Sequence, residues 1–275
     1  MKVYTLIDDN KQINSAFVTE HGLSLYFEHE GKRILFDTGE TDAFIYNATL
    51  LGIDLNKIDA CVISHAHDDH TGGLTHFLNI NRHAPVYLKR AVQSDYYSRD
   101  AGHNERIGLD PEFYRQHTDR LRFFDGHIEI AQGVTAASIN TYRKLPLHTS
   151  LLLEKQGDLF VRDTLDHELY LAIQTGNGVV VLIGCAHHGV LNTLMSAEQQ
   201  FGKVSGVIGG FHLNGLGKYN FKKEPDSKIQ AIARYIDDHK IRKVYAGHCT
   251  GAKPLEKLSL LARVKKMHAG DIIEI

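Results

Sequence analysis

The sequence predicts an α/β (α+β) protein, a four-layer αββα sandwich of two mixed β-sheets packed face to face with helices outside. Three observations predict it: hairpin signatures come early, βα units come later, and the strands fall into two groups separated by a polar stretch. With 275 residues, 43% of them hydrophobic, the chain can bury a sizeable core, and we read a single domain over 1–275. A substrate loop or insertion is expected around 94–146.

Residues 3–7 read as a strand ending in the turn-prone Asp8, Asp9 and Asn10. Residues 23–28 and 33–36 flank Glu30-Gly31, a hairpin signature. Over 41–51, Phe44, Ile45, Ala48 and Leu51 recur at helical spacing, with Thr41 or Asp42 as cap and Gly52 as stop. The strand 60–63 discharges into a run of polar residues, and a helix follows over 72–78. Residues 85–88 read as a strand and 89–97 as weakly helical. Residues 99–108 are polar, charged and punctuated by glycine, which predicts a loop; loops of such length act as lids or binding segments. Residues 121–124, 127–130 and 134–139 read as strands of the second sheet. Two more hairpins turn at Gln156-Gly157-Asp158 and at Thr175-Gly176-Asn177-Gly178. An amphipathic helix then runs from Gly189 to about Phe201, followed by a strand at 204–208 and a helix at 226–239 entered through Pro225. A strand at 243–246, a helix at 254–265 and a strand at 271–275 complete the chain, which has no internal repeat.

The chemistry is concentrated in His65-Ala66-His67-Asp68-Asp69-His70, directly after the apolar run Ala60-Cys61-Val62-Ile63. Imidazoles and carboxylates at a strand end are costly to bury without partners, and a metal is the partner that fits. In an extended segment His65 and His67 point to the same side, so one cation can take both. Asp69 and His70, where the chain bends toward a helix, face a second. Imidazole with carboxylate suits zinc, manganese or iron rather than calcium or magnesium. Three more apolar strands end beside glycine in such residues: Ile183 before Cys185 and His187, Ile208 before His212, and Ala246 before His248. Ligands gather at the carboxyl ends of strands in α/β architectures, so these ends predict one site.

The H-x-H-x-D-H motif after a short strand resembles that of the metallo-β-lactamase superfamily, and the likeness extends over nearly the whole chain. Asp37-Thr38-Gly39 resembles that superfamily's first conserved element. Gly184-Cys185-Ala186-His187, Gly209-Gly210-Phe211-His212-Leu213 and Gly247-His248-Cys249-Thr250-Gly251 resemble a narrower branch. Its members are metal-dependent hydrolases related to a methanopterin-pathway dihydropteroate synthase-like enzyme. The resemblance implies the metallo-β-lactamase fold and a binuclear site holding one or two divalent metals, zinc first, with manganese or iron as alternatives. Its metal ligands would be His65, His67, Asp69, His70, His187 and His248, with His187 chosen over His188 because it matches the branch. Asp37 would orient a ligating histidine from outside the ligand shell. Cys185 stands where the superfamily usually has a bridging aspartate. Either its thiolate binds a metal or it packs beside the site while His187 substitutes, and the second reading is taken. The superfamily's mid-chain histidine has only a weak counterpart, His148.

Granted the site, a divalent metal brings the pKa of bound water from about 15.7 toward about 7, and the hydroxide attacks a carbonyl or phosphorus centre. Asp69 or His212 would orient the nucleophile or carry its proton; His212 stays open between ligand, substrate contact and a cap or core role. Arg99, His103 and Arg106 would bind a phosphate or carboxylate, with Tyr96 and Tyr97 as stacking faces. The expected activity is metal-assisted hydrolysis or transfer on a small molecule, with a phosphate-bearing aromatic, pterin-like substrate suggested by the resemblance. Competing readings are a phosphodiesterase or nuclease, a low-turnover metal-holding signalling or binding protein, and di-iron redox chemistry. A net charge of −2, with no Lys/Arg run longer than two, argues against nucleic-acid and anionic-membrane partners. Cys61, Cys185 and Cys249 form no disulfide framework, and the N-terminus lacks a signal-peptide pattern, so a cytoplasmic protein is expected, with a homodimer left open.

Overall fold

Period-two burial decides the layering. In the strand Lys32–Phe36, Ile34 and Phe36 point one way and Leu35 the other, yet all three are fully buried, so both faces are covered. In Gly178–Ile183, Val180 and Leu182 enter one apolar cluster while Val179, Val181 and Ile183 enter another. Two sheets with helices outside meet that demand.

The computed structural model of the protein describes residues 1–100, 102–140, 151–214 and 224–275. Its first stretch holds β1 (Lys2–Ile7), β2 (Ser24–His29), β3 (Lys32–Phe36), α1 (Ala43–Leu50), β4 (Ala60–Val62), α2 (Asp68–Thr71), α3 (Leu74–Ile80) and β5 (Val86–Lys89). There follow β6 (Asp95–Asp100), β7 (His103–Arg106), α4 (Pro111–Gln116), β8 (Leu121–Phe124), β9 (His127–Ala131) and β10 (Val134–Ser138). Next come β11 (Leu152–Gln156), β12 (Leu159–Arg162), β13 (Leu169–Thr175), β14 (Gly178–Ile183), α5 (Val190–Phe201) and β15 (Val204–Gly210). The chain ends with α6 (Asp226–Asp238), β16 (Lys243–Gly247), α7 (Ala252–Ala262), β17 (Lys265–Lys266) and β18 (Ile272–Glu274).

Among the described residues the first sheet runs β18-β1-β2-β3-β4-β5-β8 and the second β17-β16-β15-β14-β13-β10-β9. Both are mixed, parallel from β3 to β8 and from β14 to β17 and antiparallel elsewhere. Phe27, Ile34, Phe36 and Val62 of one meet Leu171, Ile173, Val180 and Leu182 of the other in the central core. Phe44 and Ala48 of α1 and Leu74 and Phe77 of α3 cover the first sheet outside. Leu194 of α5, Ile232 of α6 and Leu258 of α7 cover the second. The four-layer αββα sandwich expected from the sequence is therefore present.

It carries an addition the sequence did not predict, a third, antiparallel sheet in the order β12-β11-β6-β7. The segment expected to be a loop is the β6–β7 hairpin, with Tyr97 opposite Arg106, and β6 also pairs with β11, Leu153 opposite Tyr97. Residues 89–97, expected to be helical, give one short helical turn at Arg90–Gln93 before β6 begins. β8, assigned by sequence to the second sheet, instead extends the first, parallel to β5. No helix of the described residues is long and apolar enough to cross a membrane.

Candidate metal centre

Strand direction gathers the polar residues at one edge. β3 leads to Asp37, β4 to His65 and His67, β14 to Cys185 and His187, β15 to His212 and β16 to His248. β1 is antiparallel to β2 and β2 to β3, so β1 ends at the same edge with Asp8 and Asp9. β13 is antiparallel to β14, so it begins there, directly after His167 and Glu168. The short helix α2 comes close enough to the turn after β3 that a Cβ on Gly72 or Gly73 would strike the carbonyls of Glu40 or Thr38.

Several overlapping groups of ligand atoms, the members of each within 4.8 Å of one another, gather at this edge on two sides, with a further group of Cys185, His212 and Cys249 beside them. One side is built from His65, His67, Asp69, Cys185 and His187, taken three at a time as His65, His67, Asp69 and as His65, Cys185, His187. There His187 Nε2 lies 3.1 Å from His67 Nδ1. His65 Nε2, His67 Nε2 and His187 Nδ1 are buried with no hydrogen-bond partner. The other side is Asp69, His70, Cys185 and His248. His248 Nε2 is 3.2 Å from both His70 Nε2 and Cys185 Sγ, and 3.1 Å from Asp69 Oδ2; His70 Nε2 is 3.3 Å from Cys185 Sγ. Neighbouring ligand atoms of a tetrahedral zinc lie roughly 3.3–3.8 Å apart, given bonds of about 2.0–2.3 Å. His67 Nδ1 facing His187 Nε2, His65 Nε2 buried without a partner, and His70, His248 and Asp69 packed around the Cys185 sulfur make a donor set that fits a divalent cation.

Outside this shell, carboxylates fix the tautomers. Asp37, fully buried at φ 60°, accepts Ser64 N and Ser64 Oγ, each at 2.7 Å, and faces His70 Nδ1 at 2.7 Å. With the Ser64 hydroxyl proton directed at Asp37, its oxygen is left to accept His65 Nδ1 at 2.8 Å. Both histidines then turn a bare Nε2 to the site. Asp9 Oδ1 does the same for His248 through Nδ1 at 2.7 Å, and Asp9 Oδ2 holds the exposed His21 at 2.9 Å. Asp8 accepts His248 N at 2.8 Å and fills the space a Cβ on Gly247 would need.

Burial sets much of the electrostatics. It pushes His65 and His187 well below the usual imidazole range, helped by neighbouring imidazoles, and brings His67 down to about 3. It also lifts Asp8 to about 7 and pushes the Cys185 thiol well up. For His248 burial is outweighed by Cys249 and by hydrogen bonds to Asp69 and Asp9, which hold it well above its usual range. Burial likewise opposes charge on Asp69, but His70 and His248 keep it ionised well below the carboxylate range.

The structure thus brings together His65, His67, Asp69, His70, His187 and His248, with Asp37 behind them. Cys185 Sγ lies among the ligand atoms on both sides, because Gly184 brings the backbone in close, where a Cβ would meet Ser64. His212 lies 4.3 Å from His187 between ring centroids, 6% exposed, with one ring nitrogen within 4.8 Å of the Cys185 and Cys249 sulfurs. The substrate-loop residues lie on the β6–β7 hairpin. The Arg106 guanidinium is held by Asp95 and Asp110, each at 2.9 Å, and Arg99 Nε donates to Asn104 at 2.9 Å, while His103 is exposed. The hairpin reaches the centre through backbone instead: Asp68 N donates to Ile107 O at 2.7 Å, and Gly108 bridges to His67. His148 lies outside the described residues. Sequence reasoning missed Asp8, Asp9, His21, Asp163, His167 and Glu168; their signal was acid and histidine at the start or end of an apolar strand.

Comparison with known proteins agrees with this fold. The metallo-beta-lactamase superfamily profile matches residues 18–196. The chain is 30% identical, over its full length and 96% of the relative, to 7,8-dihydropterin-6-methyl-4-(beta-D-ribofuranosyl)-aminobenzene-5'-phosphate synthase of Methanocaldococcus jannaschii. It is 27% identical, over 94% of this chain and 95% of the relative, to an uncharacterized protein of the same organism. A crystal structure of a metal-dependent hydrolase of the beta-lactamase superfamily superposes with a TM-score of 0.82 at 28% identity, covering 100% of this chain and 99% of that one. A diphosphatase shares the fold at a TM-score of 0.56 and 16% identity, with 100% and 97% covered. The chain belongs to the metallo-beta-lactamase superfamily.

Proposed function

We propose that the protein is a metal-dependent hydrolase or transferase acting on an electrophilic carbonyl or phosphorus centre of a small molecule. The observation that carries this reading is the shared thiol: Cys185 Sγ belongs to the ligand atoms on both sides, beside His65 and His187 on the one and Asp69, His70 and His248 on the other. In the proposal His65, His67 and His187 would hold one ion and Asp69, His70 and His248 a second, with the Cys185 thiol close to both sets. When bound, the ions would supply a water acidic enough to act as nucleophile near neutral pH, and polarise the electrophile.

The chain's own residues supply the rest. Asp37, Ser64 and Asp9 keep the ligating nitrogens bare, and the Cys185 thiol, raised by burial, must release its proton as the ions enter. A thiolate among imidazoles favours zinc or iron over manganese. His212, buried beside His187 and the Cys185 and Cys249 sulfurs, is the residue we assign to carry a proton to the leaving group or to contact the substrate. The relative of 30% identity is named as a synthase of a phosphorylated ribosyl-aminobenzene pterin, which supports transfer as well as hydrolysis and a phosphate-bearing aromatic substrate.

Elemental analysis of the purified protein, beside His65→Ala and Asp69→Ala, tests this together with a screen of phosphoesters, esters and lactones. The wild type should carry about two divalent ions per chain and turn over at least one class, and each variant should lose metal and activity. Full metal and activity in both variants would overturn the assignment.

A further inference from the structure

The segment between β12 and β13 carries three buried groups with no part in that reaction: Asp163, His167 and Glu168. His167 is fully buried, packed 4.3 Å from the Tyr96 ring between centroids. Its Nδ1 accepts the Ala66 amide at 3.2 Å and its Nε2 faces Asp163 Oδ2 at 2.9 Å. An amide can only donate, so Nδ1 is the bare nitrogen and Nε2 carries the proton that goes to Asp163. Asp163 is itself anchored, its Oδ1 accepting Leu165 N at 2.7 Å and its own amide donating to Leu152 O at 3.0 Å.

Ala66 lies between His65 and His67, so the rotation of its peptide sets where both imidazoles point. The next residue along the segment acts on the opposite strand end. Glu168 accepts His187 N at 2.6 Å, and also His188 N at 2.9 Å and His188 Nδ1 at 2.7 Å. Leu169 N donates to Ser64 O at 2.8 Å and ties the two sides together. His70 and His248 hang from other carboxylates, Asp37 for the one and Asp8 and Asp9 for the other.

We infer that Asp163, His167 and Glu168 are positioning residues that preset the His65, His67 and His187 subsite, and not the one built on His70 and His248. This rests on the reading that these histidines hold an ion. The logic is that of a tautomer lock: Asp163 keeps the proton on Nε2, and only then can Nδ1 receive Ala66.

The test is stepwise zinc titration of the metal-stripped full-length protein by calorimetry, with circular dichroism to verify folding. Asp163→Asn offers an NH₂ to Nε2, forces the proton to Nδ1 and sets two donors face to face at Ala66. His167→Phe keeps a ring and removes the acceptor, whereas His167→Asn keeps an oxygen close to where Nδ1 was. Glu168→Gln replaces an acceptor of the 187–188 backbone with a donor. Asp163→Asn, His167→Phe and Glu168→Gln should each weaken one zinc step by roughly 10- to 100-fold and leave the other within about twofold. His167→Asn should restore that step to near wild type. Unchanged titrations, equal losses in both steps, or a His167→Asn as impaired as His167→Phe would overturn the inference. Should Asp163→Asn not fold, the contrast between the two His167 variants decides alone. A wild type that takes up no zinc at all would fail the metal reading itself, a result distinct from a wild type with two steps and variants that do not differ.

Discussion

Asp37 shows how much one side chain can decide. Its two oxygens receive three donors, Ser64 N, Ser64 Oγ and His70 Nδ1, none of them with access to water. Removing the carboxylate by Asp37→Ala leaves those donors buried and unpaired, at about 1–3 kcal/mol each, so the fold itself should weaken. Asp37→Asn separates stability from metal binding. Asparagine tolerates the residue's positive φ of 60° and its oxygen can still accept Ser64 N. Its NH₂ would face His70 Nδ1, however, and drive the imidazole proton to Nε2, where the ion should sit. Asp37→Asn should therefore unfold within about 1–2 kcal/mol of wild type in urea yet bind metal roughly 10- to 100-fold more weakly. Near-native zinc affinity in that variant would contradict the tautomer argument. Asp37 was legible through its resemblance to the superfamily's first conserved element, and His65, His67 and His70 through their spacing as well. For Cys185 the sequence left two readings, because a lone cysteine after glycine has the same local signature whether it packs or ligates. Only the close approach of Gly184 to Ser64, a contact 120 residues apart in sequence, puts its sulfur between the histidines.

Among the elements, those with apolar periodicity were readable and those without it were not. β3, β4, β14 and β15 announce themselves because both faces are buried, and α6 because Ile229, Ile232 and Ile236 recur on one side. β6 and β7 read Asp-Tyr-Tyr-Ser-Arg-Asp and His-Asn-Glu-Arg, with no such alternation, and β6 finds its second partner β11 some fifty residues later. Local pattern cannot see that pairing. Nor could the rule that sites lie at the carboxyl ends of strands find His167 and Glu168, since antiparallel β13 presents its beginning there. The third sheet can be distinguished from a solvated loop by one residue, Tyr96. Its ring is 3% exposed and its hydroxyl donates to Ala91 O at 2.6 Å. In a solvated loop Tyr96→Ala would change stability by no more than about 0.5 kcal/mol. In the packed strand it should cost about 3–5 kcal/mol, and Tyr96→Phe, which loses only the hydrogen bond, about 1 kcal/mol. Urea unfolding of the two variants reads the difference directly.

At the scale of the whole molecule, two sheets that share a core also share an edge, and the centre joins β1, β3 and β4 of one to β13 through β16 of the other. Ions bound there would tie the halves together, so metal content and global stability should move as one. Binding to the folded state alone adds about 4 kcal/mol when free zinc is a thousandfold above its dissociation constant. Without metal, acid should be especially damaging. His67 has its folded pKa depressed to about 3, and His65 and His187 lie well below the usual value of about 6.5. Between pH 6.5 and about 3 the unfolded chain binds protons at these positions and the folded one does not. Stability is then lost as pH falls through that window, at up to about 1.4 kcal/mol per pH unit for each histidine. His248, whose folded pKa is raised, works the other way, its contribution being full below about 6.5 and fading as pH rises above it. Asp8, raised to about 7, and Asp68, raised to about 6, also work the other way, since each takes up a proton in the folded state at a pH where the unfolded carboxylate does not. Below about pH 6.5, where the His248 contribution is constant, three depressed imidazoles still outnumber two raised carboxylates, so acid destabilisation is the net expectation there. Metal-stripped protein should thus show a urea midpoint that drops from about pH 6 to about pH 4. Zinc-loaded protein should hold its midpoint further into acid, until protons displace the ion. Coincident midpoints for the two forms at both pH values would mean that the histidine centre bears no weight in holding the sheets together.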